Sequence, residues 1–150
     1  MSADLAAFVD SNVLVYAVSN DEPEKQRRAR EIVTRGFAEG CYAISTQVMM
    51  EVYVNVTQKA KIALSSGEAF EYVRALREWS VVEMSPELVL AALGLAQRWK
   101  ISPWDAAILE AARQAGCSRV LSEDLGDREV YGGISVENPF SALASGEPPQ

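Results

Sequence analysis

Short apolar runs alternate with capped helical segments along this chain, and that alternation leaves few folds open. Ala6-Ala7-Phe8-Val9 reads as a buried strand ending at Asp10, with a helix from Ser11 to Ser19 directly behind it. Asn20, Asp21 and Pro23 are start signals for a charged amphipathic helix through Ala38, stopped near Gly40. Cys41 to Ile44 is a second strand. Ser45 or Thr46 then caps a helix reaching Ala60, and Ser65 or Ser66 another reaching Trp79. Val81-Val82 is a third, short strand. Ser85-Pro86 and Ser102-Pro103 each join a capping hydroxyl to a proline at the first helical position, and the second of these helices ends at Gly116. Arg119 to Ser122 is a fourth strand. Ile134 to Val136 is a fifth, after a turn at Gly132-Gly133.

Strands alternating with helices predict an α/β fold whose parallel sheet is covered on both faces. Ligands of such sheets bind beyond the carboxyl ends of the strands. Asp10 ends the first strand and Asp124 follows the fourth by two residues, so two acids far apart in sequence are expected as neighbours. A length of 150 residues, 49% hydrophobic, suits one domain with a real core over residues 1–140. Residues 141–150, with Gly146, Pro148 and Pro149, are expected to form a flexible tail. Met1 to Phe8 carries Asp4 and no basic residue, unlike a signal peptide. The longest apolar runs, Val13 to Val18 and Leu88 to Ala96, are too short to span a bilayer. A cytoplasmic protein with no membrane partner is expected. Cys41 and Cys117 form neither a disulfide framework nor a metal-ligand spacing, and are expected reduced and partly buried.

The chain has no histidine. That excludes serine and cysteine nucleophiles activated by imidazole, and nearly all zinc sites, since two distant cysteines cannot complete a tetrahedral shell. Catalysis here must rest on carboxylates, hydroxyls, lysines or a hard cation held by oxygen. A net charge of −7 argues against a broad electrostatic nucleic-acid binder. It does not argue against an enzyme whose acids hold metal ions.

Four acids stand out, each with an ordinary alternative. Asp10, where strand gives way to helix, is either an N-cap or a site carboxylate. Glu51 lies with Gln47, Asn55 and Gln58 on the one polar stripe of an otherwise apolar helix, which is either a solvated edge or the wall of a cleft. Asp105, three residues after Ser102, resembles a capping box, a role compatible with metal binding. Asp124 sits in Ser122-Glu123-Asp124-Leu125-Gly126-Asp127, and spacing alone does not say which of its acids turns inward. Lys25, Arg27, Arg28, Arg30 and Arg35 are interspersed with glutamates and read as a solvated helix face. Trp79, Trp99 and Trp104 read as core or rim packing in preference to base-stacking platforms. No glycine-rich phosphate loop is present.

Taken together, Val9-Asp10-Ser11-Asn12-Val13-Leu14, Glu51 in its apolar helix, Trp104-Asp105-Ala106-Ala107-Ile108, Leu121-Ser122-Glu123-Asp124-Leu125 and the closing Asn138-Pro139-Phe140 resemble the PIN-domain family of nucleases. Within that family they are most similar to the VapC-type toxins of toxin–antitoxin pairs. The resemblance runs from Phe8 to Phe140. It implies a three-layer α/β/α sandwich with a short, mainly parallel central sheet, and a carboxylate cluster binding Mg²⁺ or Mn²⁺ that cleaves RNA internally. Asp10, Glu51, Asp105 and Asp124 match the acidic positions. Ser11 and Ser122 match hydroxyl positions, Asn12 joins them as a support of the carboxylates, and Asp127 is a further candidate acid. Ser102-Pro103 departs from the aromatic-rich run expected before the third acid. The resemblance also implies a homodimer and a small cognate antitoxin. Two other readings compete: a non-catalytic RNA- or protein-binding module on the same fold, and a phosphatase of the haloacid-dehalogenase type with Asp10 as nucleophile, which would want an acid where Asn12 stands.

Overall fold

The computed structural model describes residues 5–58, 64–126 and 129–141. The chain begins with β1 (Ala7–Val9), α1 (Ser11–Tyr16), α2 (Pro23–Glu39), β2 (Tyr42–Ser45), α3 (Thr46–Gln58), α4 (Ser66–Leu76) and β3 (Ser80–Val82). It continues through α5 (Pro86–Trp99), α6 (Pro103–Gln114), β4 (Arg119–Leu121), β5 (Val130–Tyr131) and β6 (Ile134–Glu137). Successive side chains of a strand point to opposite faces. All residues of β1 and β2 are nevertheless buried, so both faces of the central sheet are covered by helices. This is the three-layer α/β/α arrangement. On the helical layers α1 packs against α2 and α3, α3 against α4, and α5 against α6.

The sheet order is β3-β2-β1-β4-β6-β5, parallel except for the β5–β6 pair. The caps act as their residue types predict. Ser65 and Glu68 form a reciprocal capping box, while Ser85 and Ser102 accept from the backbone N–H groups of Leu88 and Asp105. Gly40 ends α2 with φ +62°, a conformation that glycine adopts without strain. Gly36 is required by contact: a Cβ there would clash with the ring of Trp79.

Several boundaries differ from the sequence reading. The first helix stops at Tyr16 instead of Ser19. Glu22, with no side-chain cap bond, precedes Pro23 at the start of α2, and neither Asn20 nor Asp21 does. The helix α4 ends at Leu76, short of Trp79. The expected end of α3 at Ala60 lies outside the described residues, as do Asp127 and the tail beyond Ser141. The β5 strand is an addition: two residues pair antiparallel with β6 across Gly132-Gly133, both at positive φ as a tight hairpin turn requires. Cys41 and Cys117 are free thiols, the first half-buried and the second buried. Among the described residues no helix is long and apolar enough to cross a membrane.

Candidate active site

The chain builds the sheet outward from β1 through β2 to β3, then returns to the other side of β1 with β4. The crevice at such a reversal of strand order is where open α/β sheets place their ligands. Asp10 is the first residue beyond β1, and Ser122, Glu123 and Asp124 are the first beyond β4. The parallel pairing of Val9 with Leu121, and the bond from the Asp10 N–H to the Leu121 carbonyl at 3.0 Å, bring these two ends side by side.

Asp10 is 6% exposed. Its Oδ1 accepts from the Ser11 N–H at 2.8 Å, which caps α1, and its Oδ2 accepts from the Ser122 hydroxyl at 2.7 Å. A serine hydroxyl has one hydrogen and two lone pairs. Ser122 uses all three, donating to Asp10 and accepting from the Asn12 amide at 3.2 Å and the Asp124 N–H at 3.1 Å. The Asn12 amide nitrogen also lies 3.1 Å from Asp124 Oδ2 and 3.4 Å from Asp10 Oδ2, so its two hydrogens are shared among three oxygens. The Asn12 carbonyl oxygen accepts from the Glu123 N–H at 3.2 Å. Asn12 therefore serves as a clamp between two acids. It is not the second acid that dehalogenase-type phosphatase chemistry wants.

Glu123 turns away from this group. Its two oxygens accept from Tyr16 and from Lys25, each at 2.9 Å, and Lys25 also stands over the Tyr16 and Phe140 rings. Burial works against the Lys25 ammonium, but hydrogen bonds to Glu123 and Tyr16 and the Glu123 charge outweigh it, and its pKa is raised. Glu123 is thus neutralised by a lysine 98 positions away, and Asp124 is the acid of this turn that joins Asp10.

The other two acids arrive from helices. Glu51, on α3, accepts from Gln47 Nε2 at 3.4 Å, and the same nitrogen donates to the Trp104 carbonyl at 3.4 Å. Gln47 is 8% exposed, and its Oε1 is buried without a hydrogen-bond partner among the described residues. Asp105 is fixed at the start of α6 by its N–H to Ser102 Oγ at 3.0 Å, which is half of the capping box the sequence suggests; the reciprocal bond from the Ser102 N–H to the Asp105 carboxylate is not made. Its charge, after burial and Glu129, helps raise the pKa of Tyr131, whose hydroxyl donates to the Leu125 carbonyl. Asp105 thus lies near the β5–β6 hairpin, and its charge is not among those that act on Asp10.

Burial is the main reason that the Asp10 carboxyl is pushed up to about 6. The hydrogen bonds from Ser122 and Ser11 oppose it, and the charges of Glu51 and Asp124 add to it. Asp10, Glu51 and Asp124 therefore share one electrostatic environment. The donors are all hard oxygens, as Mg²⁺ or Mn²⁺ prefers, and a divalent ion would relieve their repulsion. As they stand, no three acids among the described residues gather closely enough to enclose an ion.

Sequence reasoning singles out Gln47 only as part of a stripe, although its i, i+4 relation to Glu51 is visible there. Tyr16 and Lys25 escape it as neighbours of the site, because each acts on Glu123 across a long sequence separation that no local pattern encodes.

Several solved structures share this fold. A toxin–antitoxin complex from Klebsiella pneumoniae contains a chain with TM-score 0.64 and 22% identity, covering 89% of this chain and 98% of that one. VapC20 of Mycobacterium tuberculosis, described as a toxin that cleaves the sarcin–ricin loop, matches with TM-score 0.62 and 16% identity over 79% of this chain and 90% of that one. VapBC2 of Rickettsia felis, bound to a DNA fragment from its promoter, matches with TM-score 0.63 and 16% identity over 89% and 98%. No curated protein sequence matches the chain. The PIN-domain pattern matches residues 7–132, and with the sheet order and the acids at its switch point this establishes that the chain belongs to the PIN-domain family.

Proposed function

We propose that this PIN domain is a metal-dependent endoribonuclease that serves as the toxin of a toxin–antitoxin pair. The observation that carries this reading is the joined pair of acids at the switch point, Asp10 and Asp124, clamped by Ser122 and Asn12 in a crevice that Glu51 also charges. Membership of a nuclease family supports the reaction class. Structures described as a toxin–antitoxin complex and as a toxin that cleaves the sarcin–ricin loop support the biological role.

In this reading Asp10 and Asp105 would hold Mg²⁺ or Mn²⁺, with Glu51 and Asp124 as further ligands. When bound, the ion supplies a lowered pKa for attacking water and neutralises charge developing on the phosphate. The protein's own contribution is orientation. Ser11 and Ser122 fix the two oxygens of Asp10, and Asn12 fixes Asp124 against Asp10. Gln47 holds Glu51 to the start of α6. Asp127 stays a candidate fourth acid.

The partners in this reading are RNA, a small antitoxin and a second copy of the chain, in the cytoplasm. An antitoxin arginine would pair bidentately with the carboxylates, so Glu51→Gln or Asp105→Asn should weaken that complex. Exposed Met50 and Val54 on α3, Phe70 on α4, and Val89, Leu90 and Leu93 on α5 are apolar side chains that a homodimer interface would cover. The deciding experiment is RNA cleavage by the purified chain with Mg²⁺ or Mn²⁺, with chelator, and with Asp10→Asn. Activity should require the ion and Asp10. Full cleavage in excess EDTA would sink the proposal.

A further inference from the structure

Trp104 stands in the first turn of α6, one residue before Asp105, and 66% of it is exposed. The other two tryptophans behave as the sequence reading expects. Trp79 is buried among Phe37 and Tyr42, and Trp99 packs on Tyr131. Trp104 departs from that reading. Its ring meets no aromatic or cationic partner among the described residues. Its backbone is nonetheless tethered at both ends of the turn. Pro103 and the Ser102 cap fix the turn, and Gln47 Nε2 holds the Trp104 carbonyl while contacting Glu51. A large apolar plane is therefore presented to solvent on the segment that links Glu51 and Asp105.

Charge points the same way, independently. Most RNA-binding surfaces gain affinity from lysines and arginines that displace counterions, whereas this chain has a net charge of −7. Several cations on the best-supplied helix, α2, are already committed: Lys25 to Glu123, Arg28 to Glu31 and Arg35 to Glu39. A nucleic acid held by so acidic a chain gains from contacts that need no cation. Stacking of a base on an aromatic face is such a contact. A base inside a duplex has both faces covered, so only an unpaired one can lie on an exposed indole.

We propose that Trp104 is a stacking subsite for an unpaired nucleobase of the strand held at the acidic site. This rests on the ribonuclease reading and adds a specificity-determining residue to it. The test has two arms. In the first, fluorescein-labelled r(A)₁₂ is titrated with Asp10→Asn protein, with and without Trp104→Leu or Trp104→Phe, and anisotropy is read at several salt concentrations. Trp104→Leu should weaken binding about 10-fold, within the range expected for one lost stack, and Trp104→Phe less. The slope of log affinity against log salt should be the same in all three, because no cation is removed. The same oligomer annealed to its complement should bind weakly and respond to neither substitution. In the second arm, cleavage of r(A)₁₂ by otherwise wild-type protein should show a raised KM in Trp104→Leu. If wild type neither binds nor cleaves RNA, the ribonuclease reading falls and this one with it. If wild type cleaves and Trp104→Leu matches it in binding and KM, the stacking subsite alone is overturned. The subsite is likewise overturned if Trp104→Leu changes the mass of the protein in solution while leaving r(A)₁₂ binding intact, since the indole would then belong to a protein interface.

Discussion

Two halves of the proposed site are held in different ways. The sheet half, Asp10 and Asp124, stands on the adjacent ends of two parallel strands, and Ser122 and Asn12 tie it with four side-chain contacts of 3.2 Å or less. The helix half, Glu51 and Asp105, is joined through one glutamine by two contacts of 3.4 Å, and the Asp105 carboxylate accepts no hydrogen bond among the described residues. Strand ends locked by a ladder place a side chain within a fraction of an ångström. Side chains reaching across from helices leave it room to adjust. The buried and unpaired Gln47 Oε1 fits this contrast, since such an acceptor costs about 1–3 kcal/mol when unsatisfied. We read the sheet half as preformed and the helix half as the part that closes on its ligand.

The largest effect should come from breaking the division itself. Asp10→Asn and Asp105→Asn should each lower single-turnover RNA cleavage by on the order of 10³-fold or more, and the double variant should lose little beyond either, because residues acting as one unit are non-additive. Losses that multiply in the double variant would mean that the halves contribute separately.

Metal affinity sharpens the comparison one level out. Removing groups that orient ligands typically costs about 10- to 100-fold in affinity. Ser122→Ala and Asn12→Ala should fall in that range for Mn²⁺ measured by calorimetry. Gln47→Ala, holding Glu51 by one long bond, should cost less than about 10-fold. Equal losses would show the helix half to be as preformed as the sheet half.

The same contrast governs what is legible in the sequence. Asp10 beyond β1 and the neighbouring turn beyond β4 follow from strand–helix alternation and the position of ligand crevices in such sheets. The serine caps at positions 65, 85 and 102 are legible because a cap is a local device. The choice of Asp124 over Glu123 is not, because Lys25 and Tyr16 decide it from the far side of the chain. The β5 strand escapes a sequence reading because two residues carry no periodicity, although its glycine turn is visible. Trp104 misleads for a related reason. Its neighbours in sequence look like core, and only the packing shows that most of it stays exposed.

Protonation separates the halves at the next level. Asp10 titrates near 6 in the folded chain against an ordinary 3.8. Between those values the folded state keeps a proton that the unfolded state has released. The contribution to stability is therefore full below pH 4, falls as pH rises through 6, and is flat above. The metal-free Asp10→Asn protein lacks that penalty, and asparagine caps a helix about as well as aspartate. At pH 8 it should be more stable by about 1–3 kcal/mol, a rise of roughly 2–10 °C in Tm, and the gain should vanish near pH 4. Thermal melts across this range give the answer. A gain independent of pH would detach it from the Asp10 charge.

The smallest effect distinguishes Asp105 as a ligand from Asp105 as a mere occupant of a capped turn. Ser85 and Ser102 make the same cap, each followed by proline, each accepting from the N–H three residues on at 3.1 and 3.0 Å. Losing either hydroxyl costs about 1 kcal/mol, or roughly 2–4 °C for a domain of this size. Without metal, Ser85→Ala and Ser102→Ala should therefore melt alike, slightly below wild type. Metal at 100 times its dissociation constant stabilises a folded protein by about 2.7 kcal/mol, which is roughly 5–10 °C here. Ser85→Ala should keep that full shift, because α5 carries none of the four acids. Ser102→Ala frays the turn that positions Asp105, so its shift should be smaller by a degree or two at the same Mn²⁺ concentration. Identical shifts in the two variants would place Asp105 outside the ligand set and confine the ion to the sheet half.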